Sequence, residues 1–158
     1  MNLQLTDVEA KRLIKMLKDV LQAHEKTLHE RDSGKFMLQS NQADGKRKFQ
    51  VNYFYATDDI HLNLIDYKTK HTLVRINLDS RFHNNSNGKV YGHRIEIFSE
   101  QEFVKKNDGV TQVKAYKLPM LGLRDTNDFI QALNEFLKYI NVHSTDKIKI
   151  SIEAPLDI

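Results

Sequence analysis

The apolar positions of the N-terminal stretch repeat at helical spacing. Leu13, Ile14, Leu17, Val20, Leu21 and Leu28 fall three and four residues apart for the most part, which is the stripe of an amphipathic helix. Thr6-Asp7-Val8-Glu9 precedes them. It is a capping box, in which Thr6 accepts from the N–H of Glu9 and Glu9 reaches back to Thr6. The pattern predicts one long helix over roughly residues 7 to 31, with Gly34 as its stop. His24 lies on the stripe and is expected to be a hydrogen-bonded core histidine.

Period two then takes over. Asp44-Gly45 is a two-residue type I′ turn signal. Pairing Ala43 with Lys46 sets Leu38 against Val51, Phe36 against Tyr53 and Gln39 against Gln50, so one face is apolar and the other polar. Lys46-Arg47-Lys48 reads as a solubilising tip. Further strands are expected over 58–66, 71–78, 90–98 and 110–118. Ile60, Leu62, Leu64, Val74, Ile76 and Leu78 point inward, His61 and Asn63 outward, and His71, Leu73, Arg75 and Asn77 outward on the next strand. In the 90–98 strand Ile95 and Ile97 want burial, Arg94 and Glu96 face out, and Gly92 suggests a bulge. Phe129, Leu133, Phe136 and Ile140 mark a second helix, capped by Asp125 or Thr126, and 147–152 alternates as a last strand. The expected fold is α+β. A long N-terminal helix precedes an antiparallel meander of about five to six strands, a second helix and a C-terminal strand, with the helices packed on one face of the sheet. Residues 1–158 are read as a single domain.

Composition narrows the function classes. The chain is 40% hydrophobic and 28% charged, the balance of a globule rather than a disordered segment. Cysteine is absent, which removes disulfides, thiol nucleophiles and thiolate metal sites. The N-terminus has no basic region followed by an apolar run, and no apolar run is long enough to span a bilayer, so a cytoplasmic protein without a membrane partner is expected. The net charge of +3 is unevenly spread. Between Tyr67 and Arg94, Lys68, Lys70, Arg75, Arg81, Lys89 and Arg94 face a single acid, Asp79. A local basic excess points to an anionic partner.

No Walker or Rossmann phosphate loop and no nucleophile elbow is present. Asp58-Asp59 is explained by a turn at a strand start. Neither a metal nor another cofactor is expected. The chemistry-bearing stretch is Arg81 to Glu100. Arg81, His83, His93 and Arg94 could supply the base, the acid and the cationic donors of a metal-independent ribonuclease. Arg75, Asn85, Asn87 and Lys89 would bind the nucleic acid, helped by turn amides able to form an anion nest. The outward strand face lacks the aromatics that stack bases in RNA-binding sheets.

Arg81-Phe82-His83-Asn84-Asn85-Ser86-Asn87-Gly88, running into Gly92-His93 and closing on Phe98-Ser99-Glu100, resembles a family of small uncharacterised bacterial proteins, a domain of unknown function met on plasmids and prophages. Phe136-Leu137-Lys138-Tyr139-Ile140-Asn141 at the end of the second helix extends the likeness. Where that family often carries His-x-His before the closing aromatic, this chain has Arg94-Ile95-Glu96. The resemblance implies a mobile-element setting and no established activity. The first expectation is therefore a protein that engages nucleic acid, RNA foremost, as a toxin-type ribonuclease. The alternative is a non-enzymatic protein-binding module, such as a defence inhibitor or antitoxin-like subunit. A homodimer formed through the long helix is the third reading.

Overall fold

The computed structural model describes residues 2–40 and 46–153. The predicted long helix is not there. Helix α1 spans Asp7–Lys15 and stops. The chain then runs through β1 (Lys18–Val20) and β2 (His24–Leu28) before β3 (Asp32–Ser40) and β4 (Lys48–Ala56). Residues four apart share a face in a helix and also in a strand, so Leu13, Leu17 and Leu21, or Val20, His24 and Leu28, fit both periods. Burial separates them. Met16, Lys18 and Val20 point inward, and Leu17 and Asp19 do not. A lysine at the inward position hides the strand from a hydropathy reading. The homodimer reading, which needed the long helix, loses its surface.

The predicted capping box is present, with Thr6 Oγ1 accepting from Glu9 N and Glu9 Oε1 accepting from Thr6 N, both at 3.1 Å. Asp7 and Glu100 then cap each other's helix, each carboxylate accepting from the other's backbone N–H at 2.8 Å. Beyond β4 come β5 (Asp59–Asp66), β6 (Thr72–Leu78), β7 (Phe82–Asn85), β8 (Gly88–Tyr91), β9 (Arg94–Phe98) and α2 (Glu100–Lys106). β10 (Val113–Lys117), α3 (Phe129–Tyr139), β11 (Val142–His143) and β12 (Ile148–Ile152) complete the described chain.

The architecture is strand-dominated and corrects the α+β expectation. One eight-stranded sheet runs in the order β10-β9-β6-β5-β4-β3-β1-β11. Two small ladders, β2–β12 and β7–β8, stand beside it. The predicted 90–98 strand is broken at Gly92 (φ +76°) into β8 and β9, which belong to different sheets. The β3–β4 register also differs from the expected one: Phe36 faces Val51 and Leu38 faces Phe49. A slip of two residues keeps every side chain on its face, so alternation alone could not fix it. The Asp44-Gly45 turn that set the expected register lies outside the described residues.

The core joins alternate residues of β3 to β6 and β9 to α1 and α3, with Phe49, Leu62, Leu64, Val74, Ile95 and Phe136 fully enclosed. Lys18 is enclosed with them at 0% exposure. Its Nζ donates to Ile14 O (2.7 Å) and Met16 O (2.8 Å) at the end of α1, and to Ile140 O (2.7 Å) at the end of α3. The ammonium lies 4.8 Å from the centre of the Phe49 ring. Carbonyls at helix C-termini lack intrahelical donors and carry partial negative charge. One cation thus satisfies three of them and ties two helices to the strand between. His24, assigned to a helix stripe, is half-buried on β2, with its Nε2 2.7 Å from Tyr53 Oη. Arg47, assigned to a solvated tip, forms a bidentate pair with buried Asp66 at 2.8 and 2.7 Å.

Replacing Lys18 by Met would leave three buried carbonyls without donors. At roughly 1 kcal/mol for each lost bond, denaturant unfolding should show a loss of about 2–4 kcal/mol. Burial also lowers the Lys18 pKa to about 7 from 10.5. Between those values the unfolded chain binds a proton that the folded chain has released, so stability rises with pH there and is lost as pH falls through 7. The gap between wild type and Lys18→Met should accordingly be wider at pH 9 than at pH 6. An equal gap at both would remove the linkage.

Candidate functional site

The face of the sheet opposite the apolar core carries polar side chains in register. His61 on β5 pairs with Asn77 on β6, and Asn63 with Arg75. Arg75 in turn lies across from Glu96 on β9, and Asn77 from Arg94. Alternation places these residues outward, yet Asn77, Asp79, Arg94 and Glu96 are buried. The β7–β8 hairpin helps to cover this face: His83 Nδ1 contacts Glu96 Oε1 at 3.1 Å. Asn85 holds the hairpin to β10, donating to Ala115 O and accepting from Ala115 N, both at 2.9 Å. Ser86 is held from the other side by Glu102 of α2, whose oxygens accept from Ser86 N (2.9 Å) and Ser86 Oγ (2.6 Å).

Asp79 is the junction of the network. Its Oδ1 accepts from Arg94 Nη1 (2.7 Å) and from Arg81 N (2.9 Å). Its Oδ2 accepts from Arg81 Nη2 (3.1 Å). Burial pushes the Asp79 carboxyl up, but the Arg94 guanidinium and the bonds from Arg81 outweigh it and hold it below the usual carboxylate range. Glu96 follows the same balance, with burial opposed by His83, Arg75 and Arg94. Arg81 Nη2 also reaches Asp59 Oδ1 (2.9 Å) and His61 Nε2 (3.1 Å). Asp59, given a turn role from sequence, is part of this cluster.

The four candidate catalytic residues are not gathered on one open surface. Arg81 and Arg94 meet on Asp79. His83 sits against Glu96, 4.0 Å from which lies Arg94 Nε. His93 stands apart, with Nδ1 2.5 Å from Asp125 Oδ1. Arg94 is buried and its contacts are internal. Of the candidate binding residues, Asn87 and Lys89 line an open groove, Asn85 both borders it and clamps β10, and Arg75 lies on the sheet face, donating to Asn77 Oδ1 at 2.8 Å. The three arginines of the 67–94 window are thus answered by Asp79 and by two acids from outside it, Asp59 and Glu96.

The groove runs between β8 and β10, has a volume of about 520 Å³, and is walled in part by Lys89, Val90, Lys114, Tyr116, Lys117 and Met120. Among the described residues none of its lining side chains carries a carboxylate. Beside it, on the outer face of the hairpin, Phe82 and Tyr91 pair across the strands with ring centroids 5.4 Å apart. They are 47% and 57% exposed. Lys89 lies 4.6 Å over the Phe82 ring and Lys114 5.8 Å from the Tyr116 ring. Sequence reasoning missed Lys114, Tyr116 and Lys117, which are remote in the chain. It also missed Phe82 and Tyr91, which alternation within a single 90–98 strand could not show to be a hairpin pair. One signal was legible: Ser99-Glu100-Gln101-Glu102 has capping-box spacing and marks α2, whose Glu102 secures the hairpin.

The architecture is a strand-rich sheet protein with a charge-balanced polar face and a lysine-lined groove at its β10 edge. Residues 5–142 match a family of unknown function (DUF6978), and the chain belongs to that family. No curated protein and no solved structure matches the chain. No helix among the described residues is long and apolar enough to cross a membrane.

Asp79→Asn would leave buried Arg94 with Glu96, 4.0 Å away, as its remaining carboxylate, and should cost about 3 kcal/mol in denaturant unfolding. Because the Asp79 pKa is depressed on folding, its contribution is present above pH 3.8 and is lost as pH falls through the lower folded value. Asp79→Asn should therefore unfold in acid with a shallower pH dependence than wild type.

Proposed function

We propose that this protein binds single-stranded RNA along the groove between β8 and β10 and across the outer face of the β7–β8 hairpin. The observation that carries the reading is the combination of Lys89, Lys114 and Lys117 in a groove free of lining carboxylates with the exposed Phe82–Tyr91 pair beside it. Flexible ammonium groups suit backbone phosphates, and exposed ring faces stack bases without regard to sequence. The aromatics whose absence weakened an RNA reading of the sheet face stand on the hairpin instead. Glu102, which interacts with Lys114 and Lys106, is buried and taken up by Ser86.

Binding is favoured over cleavage. His83 and His93 each face a different carboxylate, so these two imidazoles are not poised to share one phosphate as base and acid. The mobile-element setting implied by the family resemblance is compatible with an RNA-binding role.

Fluorescence anisotropy with a labelled single-stranded RNA checks the proposal. Neutralising three phosphates on a single strand gives a slope of about −2 in log K against log salt. Lys114→Ala with Lys117→Ala should weaken binding and bring the slope to about −0.7. Phe82→Ala with Tyr91→Ala should weaken binding by roughly tenfold or more at unchanged slope. Affinity that is flat with salt would reject the reading.

A further inference from the structure

We propose that Asp59, His61 and Asp79 form a binding site for a divalent transition-metal ion such as Zn²⁺, which the Arg81 guanidinium occupies in the metal's place. Asp59, His61 and Asp79 each offer one ligand atom, and these atoms lie within 4.8 Å of one another. Arg81 Nη2 sits among them, 2.9 Å from Asp59 Oδ1, 3.1 Å from His61 Nε2 and 3.1 Å from Asp79 Oδ2. A positive charge is thus already held at the point where the three acceptors converge. One imidazole with two carboxylates is a donor set that suits Zn²⁺ and its first-row neighbours.

An independent feature is the relay that orients His61. Arg75 Nε can only donate, and it donates to Asn77 Oδ1 at 2.8 Å, which fixes the direction of the Asn77 amide. That oxygen lies 2.8 Å from His61 Nδ1, so Nδ1 carries a proton and Nε2 is the nitrogen turned to Asp59, with Asp79 Oδ2 3.9 Å from Nδ1. Asn77 is 1% exposed, and its Nδ2 has no partner in this orientation. The amide is held for its oxygen. A metal-binding histidine is commonly set in this way through its second nitrogen. Nε2 and Asp59 Oδ1 lie only 2.6 Å apart. At that separation a positive species, a proton on Nε2 or a metal ion, stands between the two atoms. Asp79 is prepared likewise, with Oδ1 taken by Arg94 and the Arg81 backbone and Oδ2 turned to the cluster.

Arg81 is a weak occupant. Its side chain is 60% exposed, and ion pairs made by an exposed guanidinium contribute little because water and salt screen them. A metal ion that displaces it gives up little, while Asp79 keeps Arg94 as a partner. This site is separate from the lysine groove and does not depend on the RNA reading.

Titration of the full chain with Zn²⁺ against a chromophoric chelator, with isothermal calorimetry for stoichiometry, tests the proposal. One ion per chain is expected. His61→Ala should weaken binding at least tenfold, and Asn77→Ala by 10- to 100-fold. Arg81→Ala should tighten it, since the competing cation is gone. Asp59→Asn is a second ligand variant that leaves the Asp79–Arg94 pair intact, should His61→Ala fail to fold. No binding by wild type, whatever Arg81→Ala does, would overturn the proposal. So would equal affinity in wild type, His61→Ala and Asp59→Asn, because the ion would then sit elsewhere.

Discussion

The Lys18 ammonium is buried where α1, β1 and α3 come together, and the N-terminal third of the molecule depends on that contact. A charge removed from water is costly unless its partners replace the lost hydration. Here three carbonyls do so, two from the end of α1 and one from the end of α3. These carbonyls are themselves orphaned by helix termination. The amine and the helix ends thus offset each other in part, since burial still draws the Lys18 pKa down to about 7. The parallel pairing of β1 with β11 follows from the same junction, since Lys18 N donates to Asn141 O at 3.0 Å and Asn141 Nδ2 donates back to Lys15 O at 2.9 Å.

A second buried electrostatic centre organises the opposite face. Asp79 collects Arg94 and Arg81, and Glu96 collects His83. The hairpin β7–β8 lies against this face because His83 is drawn to Glu96 and Asn85 completes hydrogen bonds of β10. Covering the network has two consequences. It buries Arg94 and Glu96, which alternation alone would leave wet. It also turns Phe82, Lys89 and Tyr91 outward, since residues opposite one another in a ladder share a face. The exposed aromatic pair is thus a by-product of how the charges beneath are satisfied.

Ion pairing also sorts the cations. Arg47, Arg81, Arg94 and Arg124 are each bound to a carboxylate, in keeping with the fork geometry of the guanidinium. Lys89, Lys114 and Lys117 border a groove without lining carboxylates. A reading by charge count treats arginine and lysine alike, and places the basic surface over Lys68, Lys70, Arg75, Arg81, Lys89 and Arg94. The folded chain keeps Lys89 in the groove and adds Lys114 and Lys117 of β10.

Some of the molecule was legible before folding. The Thr6 capping box, the outward pairing of His61 and Asn63 with Asn77 and Arg75, the stripe of α3 and the last strand are local or period-two features, and each appears. Membership of a family of unknown function is also a property of the sequence itself, with residues 5–142 matching that family. Tertiary structure decided the rest. It ended α1 at Lys15, because residues 16–28 find strand partners more than a hundred positions away in β11 and β12. It set the β3–β4 register, which alternation leaves free by two residues. It joined Asp59 to Asp79 and Arg81, and Lys89 to Lys114 and Lys117. Hydropathy and turn chemistry act over a few neighbouring residues, whereas a buried charge is satisfied by whichever groups the whole fold brings within about 3 Å of it.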